Sequence, residues 1–75
     1  MRGTVKAQVA EMVLDEADRH GDLHLSQASL AELLGTSRQS VNQALSELRN
    51  EGAVETGYRV ISRVDETALS IAAGR

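Results

Sequence analysis

Residues 26–50 read SQASLAELLGTSRQSVNQALSELRN, and their apolar spacing decides the fold. Ser26 is of the residue class that accepts backbone N–H bonds at a helix start, and Leu30, Ala31, Leu33 and Leu34 then recur at helical spacing from Gln27 to Leu34. Gly35-Thr36 interrupts that pattern. Ser37 opens a further helix running to about Asn50, and Gly52 closes it. On a wheel of about 100° per residue, Val41, Ala44, Leu45 and Leu48 share one sector roughly 100° wide. Arg38, Gln39, Asn42, Gln43, Ser46, Arg49 and Asn50 take the opposite side, with Glu47, Glu51 and Ser40 between the two. One face is suited to burial, and the other carries two arginines and no acid.

Two helices joined by a tight Gly-containing turn make a helix-turn-helix, whose second helix is shaped to lie in the DNA major groove. The joint is consistent with this. Ala31 is small where the helices must approach, Gly35 is free to take a positive φ, and Val41 is apolar where the second helix meets the first. The polar face suits base reading, because Arg pairs bidentately with guanine, and Gln or Asn with adenine.

On the N-terminal side, Val5, Val9, Met12 and Val13 set a helical stripe over Thr4 to Arg19, with Gly21 as its stop. Leu23-His24-Leu25 alternates as one short strand. On the C-terminal side, Ala53-Val54-Glu55 and Tyr58-Arg59-Val60-Ile61 read as two β segments around a turn at Thr56-Gly57, a wing over residues 53–62. Thr56, Gly57 and Arg59 are the wing's candidate contacts, and Tyr58 is assigned to core packing. Asp65 caps a short last helix through Ala73. The expected class is mainly α with a small β-hairpin: a winged helix-turn-helix with a three-helix core, a wing and a short C-terminal helix, in one domain over residues 1–75.

Composition narrows the function. The 75 residues include no Cys, Phe or Trp and a single Tyr, so a disulfide framework and thiolate metal sites are excluded and the core must be aliphatic. No apolar run approaches a membrane span, and residues 1–6 lack the apolar core of a leader, which fits a soluble, unprocessed, cytoplasmic protein. No nucleophile or phosphate-loop motif is present. His20 and His24 are separated by Gly21 and share no helix face, so neither enzyme chemistry nor a metal or other cofactor is expected. The net charge is -3, with a sequence pI near 5.2, which opposes DNA binding only if charge is taken as one number. Glu11, Asp15, Glu16, Asp18 and Asp22 cluster in or beside the first helix, while Arg59 and Arg63 lie on or near the hairpin. The alternative is a winged-helix module that docks on protein. An acidic chain suits that option, whereas an acid-free helix face is something protein docking has no reason to maintain.

The segment from Leu25 to Asp65 resembles the DNA-binding domain of the Crp/Fnr family of bacterial transcription regulators. The run LSQASLAELLGTSRQSVNQALSELRNEGAVE is similar to that family's helix, turn, recognition helix and first wing strand. Leu34 to Arg38 is the most specific part, and VAEMVLDEADRHG resembles the helix that opens the same domain. The resemblance implies double-stranded DNA as partner, with Arg38 reading a base and Gln39, Asn42 and Gln43 completing the groove surface. Ser37 and Ser40 would contact phosphates, with Thr36, Arg49 and Arg59 as further phosphate contacts. Three positions depart from the family's habit: Gln39 where Glu is frequent, Gln43 where Arg is frequent, and Ser29 where a Glu often completes a capping box. Full-length members add a cyclic-nucleotide-type sensor domain and a long dimerisation helix, and pair as homodimers. These 75 residues contain neither element, and read as an excised domain or as a short regulator.

Overall fold

The computed structural model describes residues 3–75; Met1 and Arg2, which open the segment read for a leader, lie outside them. The elements are α1 (Val5–Glu16), β1 (Asp22–Leu23), α2 (Gln27–Leu34), α3 (Arg38–Asn50), β2 (Val54–Gly57), β3 (Val60–Arg63) and α4 (Glu66–Ala72). The strands form one antiparallel sheet in the order β1-β3-β2. The fold is therefore mostly helical, with a three-stranded sheet whose β2–β3 hairpin is the wing.

Each helix begins on an oxygen-bearing side chain that accepts an otherwise unpaired N–H. Thr4, Ser26, Ser37 and Asp65 accept from Ala7, Ser29, Ser40 and Ala68 respectively. Ser29 takes part in its own way: with no carboxylate there, its hydroxyl accepts a 3.0 Å bond from the Ser26 hydroxyl. Gly35 ends α2 in the left-handed region at φ 68, and a Cβ there would meet nothing within 4 Å, so conformation alone calls for glycine.

Two expected boundaries move, each for a local reason. α1 ends at Glu16 instead of Arg19, because the Asp18 carboxylate accepts the N–H groups of His20 at 2.8 Å and Asp22 at 3.0 Å. A short acid that captures nearby backbone donors competes with the helix. Gly21, at φ 83, serves that turn and not the helix end. The strand expected at Leu23-His24-Leu25 is Asp22–Leu23, its register set by Leu23 opposite Ile61.

The hairpin differs more. β2 continues through Thr56 and Gly57, so the two turn residues are Tyr58 and Arg59, with Gly57 opposite Val60. A turn at Thr56-Gly57 would set Arg59 opposite Val54, whereas the observed turn lies two residues further on and sets Arg63 there. Ile61, 2% exposed, then has Thr56 of β2 as its partner, where a turn at Thr56-Gly57 would have put Gly52, beyond the strand. Tyr58 is correspondingly not a core residue: it stands at the tip, 90% exposed. Arg59 takes a φ of 55, a left-handed conformation that costs a side-chain-bearing residue about 1–2 kcal/mol.

The core joins Val9 and Val13 of α1, Leu30 of α2 and Ile61 of β3 to the sector of α3 expected to be buried, Val41, Ala44, Leu45 and Leu48. Leu69 of α4 closes it against α1. Truncating any of these leucines to Ala would cost about 2–5 kcal/mol, a large share of what a small domain has. Among the described residues, no buried side-chain polar atom lacks a hydrogen-bond partner.

Candidate nucleic-acid interface

With its apolar sector locked into the core, α3 must turn the other sector outward. Arg38, Gln39, Asn42 and Gln43 are all exposed, and with Ser46 they line one shallow open surface across successive turns. Among the described residues, the arginine side chains that form hydrogen bonds are those of Arg49 and Arg75. Arg38 and Arg59 thus keep all their donors for an outside acceptor.

The acids are held elsewhere. Lys6 of α1 pairs with Glu51 and lies 3.8 Å from Glu47, so both carboxylates of the α3 region are drawn toward α1. The hydrogen bond from Lys6 to Glu51 leads the effects that raise the lysine above its ordinary value of 10.5. Asp15 accepts a two-pronged bond from Arg75 at 2.9 and 3.0 Å. The Asp18 carboxyl is held below its ordinary value of 3.8, first by the Asp22 N–H and then by that of His20. Charge in this acidic chain is segregated, and the outward sector of α3 is acid-free.

Candidate phosphate contacts fall into different situations. Ser40 N–H donates to the Ser37 hydroxyl at 3.0 Å, and that hydroxyl donates to Ser40 Oγ at 2.9 Å. The Ser37 donor is thereby used in capping, whereas the half-buried Ser40 keeps a hydroxyl hydrogen to give. Thr36 is half-buried in the turn, its N–H donating to the Ala31 carbonyl at 3.0 Å. Arg49 is engaged inside the molecule: one guanidinium nitrogen donates to Thr56 of β2 at 2.8 Å and another to Ser46 at 3.1 Å. It fastens the wing to α3. Arg59 stands exposed in the turn beyond that fastening.

A cleft of about 540 Å³ separates α3 from the wing. Arg38 and Asn42 form one wall, Gly57, Tyr58 and Arg59 another, and Ser26, Gln27 and Ala28 at the start of α2 close its end. Sequence reading missed Gln27, Ala28 and the role of Tyr58. The cap at Ser26 signals a helix start, but only the three-dimensional placement of the hairpin shows that start opening onto the wing. Asp18, Asp22 and His24 also come together, with one potential ligand atom each within 4.8 Å. Their atoms serve the loop, as Asp22 accepts the Ser62 hydroxyl at 2.7 Å and His24 lies 3.5 Å from Asp18.

Comparison with known proteins agrees with this geometry. The model of the Crp-like helix-turn-helix domain matches residues 7–70. The chain is 40% identical over 63 residues to the HTH-type transcriptional regulator Cmr of Mycobacterium tuberculosis, covering 84% of this chain and 25% of that protein. It is 34% identical over 67 residues to the transcriptional regulator LdrP of Thermus thermophilus, covering 88% and 34%. The chain thus spans a quarter to a third of these relatives. A CRP-family transcriptional regulator crystal structure from Thermus thermophilus superposes with a TM-score of 0.80 at 31% identity, covering 97% of this chain and 42% of that one. The reduced CO-sensing protein of R. rubrum superposes with a TM-score of 0.81 at 27% identity, covering 92% and 35%. The apolar frame, the capped turn, the acid-free helix face and the wing are those of a winged helix-turn-helix, and the chain belongs to the Crp-like helix-turn-helix family of transcription regulators.

Proposed function

We propose that this chain is a binding module, not an enzyme, that reads one half-site of double-stranded DNA, with α3 in the major groove and the hairpin beside it. Arg38 offers a fork to a guanine edge. Gln39, Asn42 and Gln43 present amides that both donate and accept, the pattern suited to adenine. Ser40, Ser37, Thr36 and Arg59 flank that surface, where backbone phosphates run, and Arg49 supports it by holding the wing. The carrying observation is the exposed, acid-free sector of α3 in a chain whose acids are paired or placed elsewhere.

In this reading the chain works in the cytoplasm, within a longer regulator that pairs as a homodimer on two such half-sites. Selection from random duplex DNA, followed by gel shift with Arg38→Ala, tests it. The parent should enrich a guanine-containing motif. The variant should keep its fold and lose about 1–3 kcal/mol on that motif. Equal binding by parent and variant would remove α3 from the role of reader.

A further inference from the structure

Between α1 and α2, Asp18, His20, Asp22 and His24 alternate along one short stretch, and the surface assigned to DNA uses none of them. The expectation that no metal binds there rested on His20 and His24 sharing no helix face. A helix face is not required. α1 has already ended at Glu16, and a turn does the gathering. That turn is fixed from several sides: Asp18 N–H donates to the Asp22 carbonyl at 2.9 Å, Gly21 N–H to the Asp18 carbonyl at 2.9 Å, and Arg63 N–H of β3 to the Gly21 carbonyl at 2.7 Å.

Each acid is anchored by one oxygen and keeps the other. Asp18 Oδ1 accepts the N–H groups of His20 and Asp22, and Asp22 Oδ1 accepts the Ser62 hydroxyl. Carboxylates held by outer hydrogen bonds in this way are the form in which proteins fix metal ligands. Asp18 Oδ2 lies 3.5 Å from His24 Nε2. Two ligand atoms of one tetrahedral ion, each bonded at about 2.0–2.1 Å, stand about 3.3 Å apart, so this pair is already near binding distance. One atom from each of Asp18, Asp22 and His24 lies within 4.8 Å of the other two, and the exposed side chains of Asp18 and His24 close the remainder by rotation.

The charge of the group is also unmet. Among the described residues, neither Asp18 nor Asp22 pairs with a lysine or arginine, in contrast to Asp15 and Glu51. The C-terminal end of α1, just before Asp18, adds the negative end of a helix dipole. Two carboxylates and one imidazole thus converge where the local field favours a cation.

We propose that Asp18, Asp22 and His24 bind one divalent first-row transition cation, with Zn2+ the best match and water completing its coordination. A nitrogen donor beside two carboxylates suits such an ion better than Mg2+ or Ca2+, which take all-oxygen shells. Bound there, the ion joins the end of α1 to β1 and to the chain entering α2.

The chain has two histidines, so its imidazole NMR signals report each ring separately. On titration with Zn2+ the His24 ring should shift well before that of His20, and the melting temperature should rise by a few degrees over its value in EDTA. Asp22→Asn keeps an acceptor for Ser62 but loses the free carboxylate oxygen, and His24→Gln changes an exposed ring; neither touches the core. Each should weaken Zn2+ binding by at least about tenfold and abolish the thermal shift, whereas His20→Gln should leave both unchanged. Four results would overturn the assignment: a His24 ring unmoved in a large excess of Zn2+, an affinity indifferent to Asp22→Asn, binding governed by His20 instead of His24, or a response to Mg2+ equal to that to Zn2+, which any acidic surface could give.

Discussion

Gln39 and Gln43 sit on the same exposed sector as Arg38, and their chemistry sets this chain apart from the family habit of Glu and Arg at those places. An ionised Glu only accepts, which suits the cytosine amino group, whereas the Gln amide also donates. The double change Gln39→Glu and Gln43→Arg should therefore move the selected half-site, with Arg supplying most of any gain in affinity because Glu repels phosphate. Identical motifs from parent and double variant would show that these amides do not face bases. Asp18 invites a different measurement. Its folded carboxyl titrates below 3.8, so the stability it lends is present above that value and is lost as pH falls through its folded value. Asp18→Asn should be less stable than the parent in urea near neutral pH, and the gap should close as the pH falls below 3.8 and through the folded carboxyl's lower value. A gap independent of pH would mean that the carboxylate charge contributes nothing. Caps such as Ser26, Ser37 and Asp65 were legible because a short polar side chain before a periodic apolar run has few other uses. Tyr58 was not. A lone aromatic in a chain poor in core volume reads as interior, and only the strand register shows it outside.

Between helix and hairpin, the decisive link is Arg49. A sequence offers its guanidinium equally to a phosphate or to a neighbouring element, and the choice depends on where Thr56 arrives seven residues later. Arg49→Ala should accelerate backbone hydrogen exchange across residues 54–63 and weaken binding to all sequences by a similar factor. Unchanged exchange with weaker, less salt-sensitive binding would return Arg49 to the phosphate role. The helix-turn-helix itself was readable almost to the residue, since α2, Gly35 and α3 follow from spacing and caps over a continuous stretch. The end of α1 and the hairpin turn were less so. One depends on a side chain bonding its own downstream backbone, the other on how far β2 runs before it pairs with β3.

Taken as one body, the described residues have an aliphatic core that folds four helices and three strands without a large ring. That design was foreseeable from composition. The mutual placement of acids and bases was foreseeable only in outline, because Lys6 and Glu51 are 45 positions apart. A single copy has one reading surface, so the 75-residue chain should bind an isolated half-site with about micromolar or weaker affinity and steep salt dependence, lacking the effective concentration that a tethered pair enjoys. Sedimentation combined with titration checks this. Nanomolar binding by a demonstrated monomer would contradict it.

The Lys6 bridge also bears on how fast the molecule finds DNA. Glu47 and Glu51 close the same helix that carries Arg38 and Arg49, and without Lys6 their charge would extend into the solvent through which phosphates approach. By compensating both, this lysine, which shares a surface depression with Ser40 and Gln43, sharpens the molecule's electrical asymmetry. An asymmetric charge distribution turns an approaching molecule in the field of a polyanion before any contact forms. Lys6 therefore bears on the encounter as well as on the fold: its loss would slow arrival, most of all at low ionic strength.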